Sequence, residues 1–120
     1  SAFAVNAMIE SDRLACISGE AERVMTPSAS GKGQAILRCP HCRIALWSHY
    51  PTAGRRSSFV RVGTLENADA CPPDIHIFTE SKQPWLTLPD SVPVMDRYYD
   101  REKFWPKASL ERRLAVIEQD

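Results

Sequence analysis

A chain of 120 residues, 43% of them hydrophobic, has material for one compact domain with one core and too little for two ordinary ones. Its 15 Lys and Arg offset 15 Asp and Glu, and the charges are mixed along the chain. That excludes the concentrated basic face of a nucleic-acid binder, and no apolar run is long enough to cross a bilayer.

The first element predicted is a strand over 3–9, where Phe3, Val5, Ala7 and Ile9 alternate onto one face. Residues 1–9 lack the charged flank and cleavage site of a signal peptide. The chain opens on Ser1 rather than Met, so the gene product is expected to start further upstream. Arg13 to Ile17 reads as a short apolar strand ended by Ser18-Gly19-Glu20, with Cys16 buried in it. Residues 26–34 form a loop by composition, and Gln34 to Arg38 a strand running into Cys39-Pro40-His41-Cys42. Ile44 to His49 and Ser58 to Gly63 are further strands. Ile75 to Phe78 is another, after the loop containing Pro72-Pro73. The alternation predicts that most of Ile36, Leu37, Ile44, Leu46, Val60, Val62, Ile75 and Ile77 are buried. Near the end, Ser109 can cap a helix in which Leu110, Leu114 and Ile117 share a face. The fold class expected is mostly β, with a short C-terminal helix, in a single domain over 1–120.

Four cysteines are present, and only Cys39 and Cys42 are close. A secreted disulfide scaffold would be denser in cysteine, so free thiols in a cytoplasmic protein are the simpler reading, although a Cys16–Cys71 bridge stays open. Cys39-Pro40-His41-Cys42 admits three readings. Two thiolates two residues apart in a tight knuckle can share one tetrahedral zinc, which takes soft sulfur ligands; two more ligands are then needed. A redox dithiol would need the first cysteine at a helix N-terminus, whereas a strand-like segment comes next in the chain. Two ordinary cysteines at a turn is the third.

The wider context resembles one family. Ser30-Gly31-Lys32-Gly33, then Arg38-Cys39-Pro40-His41-Cys42, then Ala45-Leu46-Trp47-Ser48, resemble the later zinc-binding segment of the glutathione-dependent formaldehyde-activating (GFA) family. Val62-Gly63-Thr64-Leu65-Glu66, Pro73 to Phe78 and Ser81 to Trp85 resemble its following segments, and Ser1-Ala2-Phe3 the stretch after its upstream cysteine cluster. The resemblance implies a β-rich, Mss4-like fold of several small twisted sheets. It also implies a zinc-dependent carbon–sulfur lyase-like activity joining formaldehyde to glutathione, with a small-molecule thiol or aldehyde adduct as partner. Of two implied zinc sites, Cys39 and Cys42 would be half of the structural one. No residue here matches the catalytic cluster, so the catalytic residues are unassigned and the 120 residues alone are expected to be inactive. A non-catalytic, zinc-stabilised interaction module is the alternative. Arg43 departs from the pattern, standing where the family has Gly, which can take a positive φ freely.

His41, His49 and His76 are expected to be ordinary polar residues, and Trp47, Trp85 and Trp105 core or rim packing. Asp69, Asp74, Asp90 and Asp96 read as loop residues. Lys32 could meet a glutathione carboxylate but reads first as an exposed lysine.

Overall fold

The computed structural model describes residues 2–117. They fall into two compact units, one over Val5–Ala68 and one joining the first few residues to the segment from Asp69 onward.

The Val5–Ala68 unit is one antiparallel sheet of five strands: β1 (Asn6–Glu10), β2 (Glu22–Thr26), β3 (Gln34–Arg38), β4 (Ala45–His49) and β5 (Ser57–Arg61). Their order is β1-β5-β4-β3-β2. The mostly β class and the C-terminal helix expected from sequence are both present, and the strands make a single sheet. β2 pairs with β3 in the register Glu22↔Arg38 to Thr26↔Gln34. Their connecting loop closes on Gly33, whose φ is +76° and where a Cβ would stand 3.3 Å from the Thr26 carbonyl. A side chain there would strain the backbone and crowd the hairpin. β3 pairs with β4 through Leu37↔Trp47, and the register shifts by a bulge between Leu37 and Arg38, directly before Cys39. A bulge bends its strand and re-aims the residues beyond it. Those residues are the cysteine turn.

The apolar positions are less covered than the alternation predicts. Of the eight expected in the core only Val62 is buried, at 4% exposed. Ile36, Leu37, Leu46, Val60 and Ile75 are half-buried, while Ile44 and Ile77 are 55% and 38% exposed. The reason is architectural: this unit has one sheet and no α-helix to lay over it. Among the described residues Ala35 is the other buried apolar one, and the two fully buried polar ones are Ser48 and Ser58. Both serines are satisfied, Ser58 Oγ lying 2.9 Å from Ser11 Oγ and Ser48 Oγ accepting from Arg61 Nη2 at 3.1 Å. Arg61 Nη1 also donates to Asn6 Oδ1, tying β1 to β5 across the register pair Asn6↔Arg61. Tyr50 meets Phe59 edge-on, with ring centres 4.8 Å apart.

Three sequence expectations need correction. Arg13 to Ile17 is not a strand. A 3-10 turn over Ser11–Arg13 ends at Leu14, Ile17 is 97% exposed and Cys16 is exposed. Four apolar residues without a partner strand have no ladder to join. The first strand starts at Asn6 rather than Phe3, and Phe3 is 61% exposed. The strand β2 has no counterpart among the strands expected from the sequence.

In the other unit, Ile75 to Phe78 makes only a single parallel bridge, His76↔Val94, with His76 N–H donating to Pro93 O at 2.9 Å and Met95 N–H to His76 O at 2.8 Å. Phe78 stops the extended path by turning left-handed (φ 54°, ψ 36°) into a 3-10 turn over Thr79–Ser81. Two helices come after it. Asp100 caps α1 (Arg101–Phe104), its Oδ1 accepting from Glu102 N–H at 3.1 Å. α2 (Lys107–Ile117) begins directly after Pro106, two residues before the expected Ser109 cap, since proline suits a helix start. Its covered face is Ser109, Leu110, Arg113 and Val116; Leu114 and Ile117 are 53% and 43% exposed. Trp105 Nε1 donates to Tyr99 Oη at 2.7 Å, and the Arg101 guanidinium stands 5.5 Å from the Trp105 ring centre.

Candidate metal centre

The turn between β3 and β4 brings Cys39 and Cys42 together. Its frame is two backbone bonds. Arg43 N–H donates to Cys39 O at 2.9 Å, and Cys39 N–H donates to Ile44 O at 3.0 Å. The chain thus folds back within five residues, with Pro40 and His41 at the exposed tip. Cys39 is half-buried and Cys42 exposed, and all four cysteines are free thiols, so no Cys16–Cys71 bridge forms.

Several donors converge on the Cys39 sulfur. The amide N–H of Cys42 is foremost, then the amide N–H of His41, then the Cys42 thiol. Together with the more distant positive charge of Arg43 they hold the Cys39 thiol below its ordinary pKa, against a smaller opposing effect of burial. The thiolate is the form that binds metal and attacks electrophiles. Amides turned toward a thiolate sulfur therefore fit zinc, and the pair supplies two of the four donors a closed zinc site uses. Among the described residues, no group of three or more His, Cys, Asp or Glu side chains is placed to hold an ion. The turn runs on into β4 rather than into a helix, so the helix N-terminus that a redox dithiol requires is not what positions Cys39.

Arg43 occupies the left-handed region at φ 64°, which glycine takes freely and a side chain takes at a cost. Its guanidinium Nη1 donates to Glu22 Oε2, the same oxygen that accepts from Arg38 Nε at 2.8 Å. Glu22 is the first residue of β2 and the register partner of Arg38. The two guanidinium groups, hydrogen-bonded to its side chain, hold the Glu22 carboxyl below its ordinary pKa. Sequence reading misses Glu22 because it misses β2. The signal present was Val24 flanked by Arg23 and Met25 in an alternating run, too short to stand alone.

The other residues singled out by sequence lie elsewhere. His41 is exposed. His49 Nδ1 is 3.1 Å from the Ser57 carbonyl, and His76 Nε2 is buried without a hydrogen-bond partner among the described residues. Trp47 is half-buried on β4, while Trp85, expected as packing, is 69% exposed. Lys32 is exposed at an open depression of about 380 Å³ that Met25, Thr26, Pro27, Ser28, Gly31 and Gly33 also line. No described helix is long and apolar enough to cross a membrane.

No curated protein and no solved structure matches the chain. The family described as glutathione-dependent formaldehyde-activating enzyme matches residues 1–81, which include the whole sheet and the cysteine turn. The chain belongs to the glutathione-dependent formaldehyde-activating enzyme family.

Proposed function

We propose that the protein is a zinc-dependent carbon–sulfur lyase-like member of this family, with Cys39 and Cys42 as one pair of ligands to a structural zinc. The observation that supports this is the cysteine turn itself: its backbone amides face the Cys39 sulfur and favour its thiolate form, and it lies within the matched segment. The substrate class is a small thiol with a reactive aldehyde, glutathione and formaldehyde in the family's named reaction. In that reaction the thiol sulfur bonds to the carbonyl carbon and the thiol proton ends on the carbonyl oxygen. Zinc, when bound, supplies Lewis acidity that can activate a thiolate or polarise a carbonyl. The Cys39–Cys42 turn contributes by fixing the β3–β4 end of the sheet, on which neighbouring loops are mounted. The working compartment proposed is the cytoplasm, where free thiols persist.

The test uses the purified full gene product. Zinc content should fall when Cys39→Ser and Cys42→Ser are combined, and S-hydroxymethylglutathione should form faster than its spontaneous rate in the native protein. Unchanged zinc content in the double variant would remove these cysteines from the ligand set. Bound zinc without any rate above background would favour a zinc-stabilised interaction module.

A further inference from the structure

We infer that Glu22 is a positioning residue for the cysteine turn: by pairing with Arg43 it offsets the cost of a side chain at a positive φ, and so holds Cys39 and Cys42 in ligand-ready geometry. The inference rests on reading the turn as a metal knuckle, and it concerns how the turn is kept with a non-glycine residue at a positive φ.

The constraint begins in the backbone. Arg43 sits at φ 64°, where a Cβ meets neighbouring backbone and non-glycine residues are uncommon. Position 43 cannot relax to a negative φ without swinging the chain after it away and breaking the Cys39 N–H bond to Ile44 O at 3.0 Å. That bond sets the reversal which turns the Cys42 and His41 amides to the Cys39 sulfur. Something must therefore offset the preference of an arginine for another conformation. The side chain offers it. Arg43 Nη1 donates to Glu22 Oε2, and the same oxygen accepts from Arg38 Nε at 2.8 Å. Glu22 is anchored in the ladder opposite Arg38, so it is a fixed point on β2 against which Arg43 is held. Its side chain is 37% exposed and that of Arg43 56% exposed, so the pair is modest in strength. A modest pair suffices, since the penalty of one residue in the left-handed region is of the same small order.

The discriminating experiment reads the turn without metal. Amide hydrogen exchange of Cys39, whose N–H bonds the Ile44 carbonyl across position 43, is measured in the native protein, Glu22→Gln, Arg43→Ala, Arg43→Gly and the double variant Glu22→Gln/Arg43→Gly. Glu22→Gln and Arg43→Ala should each speed exchange by about three- to fivefold, the range an exposed ion pair supports. Arg43→Gly should exchange at the native rate, and adding Glu22→Gln to it should change nothing. If Glu22→Gln speeds exchange equally with glycine at 43, Glu22 acts only through Arg38 and the sheet, and the inference is overturned. No effect of Glu22→Gln in the native background overturns it too. Cobalt(II), titrated as a probe, judges the metal reading separately. Thiolate-to-cobalt absorption supports the knuckle as a ligand pair, and its absence counts against that reading while exchange still decides the role of Glu22.

Discussion

At the scale of single residues, the Cys39 sulfur is governed by amides more than by side chains. The leading contributions to its lowered pKa are the N–H groups of Cys42 and His41, with the Cys42 thiol third. Replacing Cys42 by Ala keeps both amides. Cys39 in that variant should therefore still titrate below the ordinary thiol value, only part of the depression being lost. The measurement is the pH dependence of iodoacetamide alkylation at Cys39, followed by peptide mass spectrometry. Because the shift favours the thiolate, reaction should set in at lower pH than for an unperturbed thiol; a full return to the ordinary value in Cys42→Ala would refute the amide account. Glu22 is also depressed. Its stabilising contribution is thus fully present above the ordinary carboxylate pKa and fades as pH falls through the lowered folded value. The cysteine pair is legible in the sequence because its chemistry is carried by spacing alone. Glu22 is not, because its role arises from a cross-strand register that no local pattern spells out.

At the scale of elements, the legible strands are those with several β-favouring or apolar residues between clear punctuation. Gln34–Arg38 is bounded by Gly33 and Cys39-Pro40, and Ser57–Arg61 comes after a Gly-Arg-Arg loop. Ile75 to Phe78 has the same look, but it fails for want of a second partner and because Phe78 turns left-handed. Periodicity reports what a segment can do; pairing decides whether it does so. The junction of β1 and β5 rests on polar side chains, with Arg61 bridging Asn6 and the fully buried Ser48. Arg61→Ala should strand the Ser48 hydroxyl without this donor and destabilise the fold by about 2 kcal/mol, the order expected for losing a hydrogen bond from a charged group. Urea unfolding reads this out, and a loss within about 0.5 kcal/mol of zero, the ordinary range for a surface substitution, would show that the bridge carries little.

At the scale of the whole molecule, the modest burial of apolar residues in the sheet unit leaves room for a bound ion to matter. Ala35 and Val62 are the buried apolar residues among those described, so zinc binding to the native turn would add stability by mass action. At 100 times its Kd the gain is about 2.7 kcal/mol. Differential scanning fluorimetry of the full gene product should therefore show a higher Tm with zinc than with chelator. The difference should vanish when both Cys39 and Cys42 are replaced by Ser. An equal zinc-dependent shift in that variant would place the stabilising ion elsewhere.

The sheet order also has a kinetic consequence. β2, β3, β4 and β5 are successive neighbours in the chain and in the sheet, whereas β1 is paired with β5, its register running from Asn6↔Arg61 to Glu10↔Ser57. Closing that long loop costs about 1–2 kcal/mol more chain entropy than closing any of the three hairpins, so the hairpins can assemble while β1 is still free. β1 is then the last strand to dock and the first to leave. Met8, opposite Phe59 in β1, should behave accordingly. In stopped-flow chevrons, Met8→Ala is expected to raise the unfolding rate and leave the folding rate nearly unchanged, and a slowed folding limb instead would put β1 in the nucleus. The cysteine turn, lying between β3 and β4, would on this order be formed early, before the sheet is complete.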